Sequence, residues 1–152
     1  MRFVTGGCDN LVKVWILSSS QPNIMNSCEE YDSGMKNFKY TELVGHSDWI
    51  RDVAWLNYVG YAYDTIASCG EDESVFIWKF DKLDNKWKNI PLKKKFNNPT
   101  WKVSWSYCGS YLAVSAGDNC IYLFTENSQD EWEEFSQINQ DGSVEQLNEL
   151  NN

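Results

Sequence analysis

Three segments of this chain repeat one pattern, and few folds are open to a chain built of such repeats. Phe3 to Trp15 reads FVTGGCDNLVKVW, Thr65 to Trp78 reads TIASCGEDESVFIW, and Tyr111 to Phe124 reads YLAVSAGDNCIYLF. Each is a short apolar run, a tight polar turn holding an aspartate, and an alternating run that closes on a large aromatic. The step from aspartate to aromatic is six residues every time: Asp9 to Trp15, Asp72 to Trp78, Asp118 to Phe124. Alternation at a period of two marks strands, and aspartate and glycine between alternating runs mark hairpin turns. A lone hairpin cannot bury its apolar face, so such units must pack on one another.

Further strands complete each unit. Asp52-Val53-Ala54-Trp55 matches Lys102-Val103-Ser104-Trp105, with Trp55 and Trp105 50 residues apart. Asp72 and Asp118 are 46 residues apart, near the roughly 40–45 of a four-stranded propeller blade. The four-residue difference falls in LNYVGYAYD, between the first two strands of the middle unit. Asp9 and Asp72 are 63 apart, the excess lying in the polar, aperiodic residues 18–34, which we expect to be a surface loop. Strand-like runs also follow each closing aromatic: NFKYTELV, KWKNIPL and EWEEFSQI. The expectation is an all-β chain forming a partial propeller of about two and a half to three four-stranded blades. Its repeats lie at about 1–17, 37–80 and 87–125, followed by a last outer strand and an acidic tail over 126–152. The final SVEQLNELNN is expected to be frayed or weakly helical, and Gly6, Gly7 and Gly117 to supply positive φ in the hairpin turns.

Charge narrows the function classes. The net charge is −9, yet the first 125 residues hold 14 acids against 13 bases, and eight acids with no lysine or arginine follow from Glu126. The acidity is therefore assigned to a solubilising tail, not to the body. Residues 79–95 carry seven of the thirteen basic residues, with Trp87 among them. This fits an outer edge strand guarded by lysines, the favoured reading, or a site for an acidic protein, nucleic acid or anionic membrane. Arg2 and Arg51 are the only arginines, which weighs against direct nucleic-acid binding. No apolar run approaches the roughly 20 residues of a membrane span, and the first residues lack the apolar core of a signal peptide. Five cysteines without a CxxC pair, beside one histidine, do not make a zinc site. Four of them sit in or beside apolar runs as small hydrophobes, fitting a reduced cytosolic or nuclear setting. No GxGxxG or P-loop is present, so neither nucleotide nor any other cofactor is expected.

Gly45-His46, the strand ending Ala54-Trp55, Ser68, the turn residue Asp72 and Trp78 together resemble a WD repeat. The resemblance implies a β-propeller in which His46, Ser68, Asp72 and Trp78 form a hydrogen-bonded tetrad that locks three strands. The first copy keeps part of this set, Thr5, Asp9 and Trp15. The third keeps only Asp118, with Phe96, Val114 and Phe124 at the other three places, so its blade should hold mainly through apolar packing. Histidine, serine and aspartate are also the residue types of a hydrolase triad. Ser68, however, lies inside the apolar run TIAS and not on a GxSxG elbow, and Trp78 would cover it. The histidine is read as a structural post.

GGCDNLVKVW, HSDWIRDVAW, TIASCGEDESVFIW, WKVSWS and LAVSAGDNCIYLF, in this order, are similar to the C-terminal half of a narrower family. These are the small WD-repeat subunits shared by the COPII outer coat and the Y-shaped complex of the nuclear pore. That resemblance implies an open six-bladed propeller, completed by a blade donated in trans by a larger helical coat or nucleoporin subunit. The partner would pair beside the third copy, around residues 101–124. It further implies contacts with other coat proteins, no catalysis, no small-molecule substrate, and membrane association only peripherally, through the coat. The expected locations are the cytoplasm, the COPII vesicle and endoplasmic reticulum membrane, and the nuclear pore and envelope. The alternative is another WD-repeat adaptor, such as a substrate receptor or chromatin-complex subunit. A chain with half the family's blades should expose apolar sheet faces and be unstable or self-associating alone.

Overall fold

The computed structural model describes residues 1–17, 38–57 and 64–147. Within them lie twelve strands and no helix, arranged as three antiparallel meanders. The first sheet runs β1 (Arg2–Gly6), β2 (Leu11–Leu17), β3 (Phe38–Val44), and the second β4 (Ile50–Trp55), β5 (Thr65–Gly70), β6 (Val75–Asp81), β7 (Lys86–Pro91). The third runs β8 (Thr100–Trp105), β9 (Tyr111–Ala116), β10 (Ile121–Glu126), β11 (Trp132–Ile138), β12 (Val144–Gln146). The chain is an all-β partial propeller. No helix among the described residues is long and apolar enough to cross a membrane. The sequence-read insertions, residues 18–34 and most of the tyrosine-rich run after Trp55, lie outside the described residues, as do 148–152.

The repeated aspartates build the turns. In each copy the carboxylate accepts from the backbone N–H two residues on: Leu11 to Asp9 at 3.2 Å, Ser74 to Asp72 at 3.2 Å, Cys120 to Asp118 at 3.0 Å. The residue after the aspartate takes the left-handed conformation, Asn10 at φ 64°, Glu73 at 59° and Asn119 at 63°. This corrects the expectation for Gly6, Gly7 and Gly117, none of which has positive φ. Close approach accounts for Gly6 instead: a Cβ there would stand 2.4 Å from Cγ2 of Ile50.

The core lies between sheets. Val12, Val14, Leu43 and Ile50 pack against Ile66 and Trp78 on one face of the second sheet. Ala67, Cys69, Val75 and Ile77 on its other face pack against Val103, Leu112, Val114 and Phe124. All six residues of β5 are therefore buried, whereas β2 and β9 alternate. The first strands β1, β4 and β8 are neighbours and carry polar ties between sheets. Ile50 N donates to Gly7 O at 3.2 Å, Val103 N to Asp52 Oδ2 at 3.1 Å, and Trp105 Nε1 to Ala54 O at 3.0 Å. Thr100, fully buried, donates to Gly70 O and accepts from Gly70 N, both at 3.0 Å.

Three further readings are corrected. Residues 144–146 are neither frayed nor helical: they pair with Ser136–Ile138 as a fifth strand. The acidity after Glu126 is not separate from the body. Lys79 pairs with Glu126, Lys93 with Glu131 at 2.5 Å and Lys94 with Glu134 at 2.7 Å, so the lysine-rich segment binds the neighbouring sheet of the same chain. Only Cys69 is a fully buried thiol among the described cysteines; Cys8 and Cys108 are exposed in turns.

Candidate functional site

The chain's one histidine lies between β3 and β4, with its side chain wholly shielded from solvent. Its Nδ1 is 3.0 and 2.9 Å from the two carboxylate oxygens of Asp72, and its Nε2 is 2.8 Å from Ser68 Oγ. Trp78 Nε1 donates to the same Oγ at 2.8 Å. One proton arrangement satisfies every group: the indole N–H donates to Ser68, the serine hydroxyl donates to Nε2, and Nδ1–H donates to ionised Asp72. Asp72 also accepts from the backbone of Ser47 at 2.9 Å, which ties the β3–β4 connection to the β5–β6 turn. Burial holds the His46 pKa below its ordinary value, against the opposing pull of the Asp72 hydrogen bond, so the ring is neutral at physiological pH. Phe76 closes the cluster, its ring edge-on to the imidazole at 4.6 Å. Gly45 precedes the histidine because a Cβ there would lie 2.8 Å from the Trp78 ring.

Serine, histidine and aspartate are thus aligned as in a hydrolase, yet the chemistry is blocked. Ser68 is 0% exposed in the middle of β5, and its oxygen already accepts from an indole. An acyl substrate has no route to that oxygen. Among the described residues no three histidine, cysteine or acidic side chains stand together as metal ligands.

The other two copies are placed differently. Trp15 Nε1 donates to Thr5 Oγ1 at 2.9 Å, while Asp9 pairs with Lys13 at 2.9 Å. Both lie on the face of the first sheet turned away from the second, where Trp15 also packs on Phe3 and Tyr40. In the third sheet Phe96 occupies the place of the imidazole, edge-on to Tyr122 at 5.3 Å, as His46 is to Phe76. The Tyr122 hydroxyl donates to Asp118 at 2.5 Å, and burial raises its pKa. Tyr122 was missed in the sequence, although it stands four residues after Asp118 as Phe76 does after Asp72. Asp118 therefore keeps a specific partner that the apolar-packing expectation did not include.

The WD domain, G-beta repeat family profile matches residues 37–79 and 92–125. The chain is 41% identical over 139 residues to "Protein transport protein sec13" of Schizosaccharomyces pombe, covering 90% of this chain and 41% of the relative. It is 42% identical over 144 residues to "Protein SEC13 homolog" of Homo sapiens, covering 94% of this chain and 40% of the relative. "Protein transport protein SEC13" of Kluyveromyces lactis is 41% identical over 138 residues, covering 90% and 41%. The chain thus spans about two fifths of the length of the curated relatives it matches.

Proposed function

The chain belongs to the WD domain, G-beta repeat family, and we propose that it is a non-catalytic scaffold subunit of the COPII vesicle coat, serving endoplasmic reticulum-to-Golgi transport, and of the nuclear pore complex. One observation carries this reading: relatives named as protein transport proteins match about 90% of the chain at 41% identity. In this reading the tetrad of His46, Ser68, Asp72 and Trp78 is a rigid clamp. It fixes the β3–β4 connection to β5 and β6 without offering a reactive group. The partial sets, Thr5 with Trp15 in the first sheet and Asp118 in the third, do the same less completely. The work is done by sheet faces.

The larger helical coat or nucleoporin subunit would add its blade beside the third sheet. The face of that sheet turned away from β4–β7 supports the reading. Tyr111 and Ile121 are exposed there, and Tyr111 packs on Phe135 at 5.3 Å. Such half-covered aromatic surface is typical of a binding interface. Location on the vesicle, the endoplasmic reticulum membrane and the nuclear envelope then follows from the coat and pore partners, as peripheral attachment. Co-expression with the blade-donating coat subunit tests the proposal. Co-elution of the two chains as one species is expected, with loss on Tyr111→Asp. A chain that stays apart from that subunit at micromolar concentration overturns it.

A further inference from the structure

The two indoles that remain half-exposed at one end of the inner strands form a second cluster, which adjoins the tetrad through Glu71, the residue before Asp72, but shares no side chain with it. Trp49 precedes β4 and Trp101 lies in β8; each is 48% exposed. Arg51 lies between them, its guanidinium carbon 5.7 Å from the Trp49 ring centre and 5.0 Å from that of Trp101. The same guanidinium pairs with Glu71, whose backbone N–H is held by Trp49 O at 2.8 Å. The cluster is a cage of two aromatic faces and one carboxylate, closed on a cation.

Its placement comes from a repeated irregularity. The pairing of β4 with β5 skips one residue between Ile50 and Asp52, and that of β8 with β9 skips one between Thr100 and Lys102. Arg51 and Trp101 are therefore the extra residues of matching β-bulges. Such bulges turn a side chain out of the pleat and recur beside binding sites. Asp48, Glu73 and Asp118 stand exposed in the connections at the same end, against one exposed lysine, Lys102, which lies 3.5 Å from Asp52, so the surroundings carry more acids than bases. The Arg51–Glu71 pair is partly exposed, at 33% and 22%, and such pairs are weak enough to be exchanged.

We propose that Trp49, Trp101 and Glu71 form a recognition site for a cationic peptide segment, whose guanidinium or ammonium group takes the place that Arg51 fills. Arg51 is then an internal occupant, which keeps the cage formed and sets a threshold for the incoming cation. The site does not depend on the coat reading.

The test uses the whole chain and three fluorescein-labelled peptides of glycine, with arginine, glutamate or glycine at the centre, read by anisotropy at low salt. The arginine peptide should bind and the other two should not. Arg51→Ala should tighten its Kd by about tenfold, the worth of one exposed cation–π and ion-pair set. Glu71→Gln, a surface change, should weaken it, and Trp49→Ala with Trp101→Ala should abolish it. Preferential binding of the glutamate peptide would mean that Arg51 serves an acidic partner and overturns the proposal. So would an arginine peptide no better than glycine, or an Arg51→Ala chain that binds more weakly. Should Arg51→Ala fail to fold, the wild-type titrations and Glu71→Gln decide.

Discussion

The second and third sheets are copies of one repeat, yet they are held together differently. In the second, the turn aspartate is almost wholly shielded and braces a buried polar chain of four side chains. In the third, the matching Asp118 is exposed, and beyond its own turn it is answered by the Tyr122 hydroxyl. The apolar faces differ as well. Among the described residues the second sheet has a sheet packed on either side, and β5 is buried along its whole length; the third has one packed on a single face, and β9 alternates. A buried polar group demands a partner in proportion to its isolation from water. A complete tetrad belongs where two sheets enclose it. A blade with a wet turn survives on aromatic packing.

Ile77 and Leu123 test this most directly, because each lies five residues after its turn aspartate. Ile77 is 0% exposed between two sheets, while Leu123 is half-buried on the face of the third sheet turned away from the second. Ile77→Ala should cost about 3 kcal/mol and Leu123→Ala about 1 kcal/mol in urea unfolding. Equal losses would mean that the far face of the third sheet is covered, as it would be in a self-associated chain.

Asp72→Ala should cost roughly 2–4 kcal/mol, leaving the His46 ring buried without an acceptor. Asp118→Ala should cost about 1 kcal/mol, since water reaches that turn. Thermal melts of the two variants side by side check the ranking; equal shifts would remove the special standing of the tetrad.

The histidine also separates the sheets by pH. Its folded pKa lies below its unfolded value, so the unfolded chain takes up the proton first. The contribution is therefore fully present above about pH 6.5 and is lost as pH falls through the folded value. The slope cannot exceed about 1.4 kcal/mol per pH unit for one group. His46→Phe, which copies the Phe96 arrangement of the third sheet, should flatten that limb of a stability–pH curve.

The smallest effect is on thiols. Burial pushes the Cys69 thiol up to about 12, whereas hydrogen bonds from Ser110 and Ser106 bring exposed Cys108 down to about 7. Iodoacetamide at neutral pH should label Cys108 quickly and leave Cys69 untouched in the folded chain. Mass spectrometry of the labelled peptides reads this out; early labelling of Cys69 would show that the two-sided packing opens.

Much of the unit structure was legible because it is local. Alternation around Val75 and Ile121, the aspartates with their fixed step to an aromatic, and the Gly45-His46 start are all short-range signals. Tyr122 was legible in principle, through its offset from Asp118, but a phenol in an alternating strand looks like any half-buried aromatic. The bulges at Arg51 and Trp101 carry no composition signal, since any residue can be the extra one. β12 was misread because Val144–Gln146 has no apolar face of its own. It exists through main-chain bonds to β11 and through Ser136 Oγ donating to Glu145 O at 3.1 Å.

The sequence by itself determined the repeating hairpin: where strands start, which carboxylate closes each turn, and which residue types can meet around one histidine. The first two follow from backbone preferences and hydrogen bonds a few residues long; the third came from the resemblance to a WD repeat, since His46 meets Ser68 and Asp72 across 22 and 26 residues. Only the tertiary structure decided which copy of a shared position is core and which is surface, and that Lys79, Lys93 and Lys94 answer Glu126, Glu131 and Glu134. Burial and pairing across sheets depend on which neighbour stands some 40 residues away, and no local pattern encodes how closely that neighbour packs.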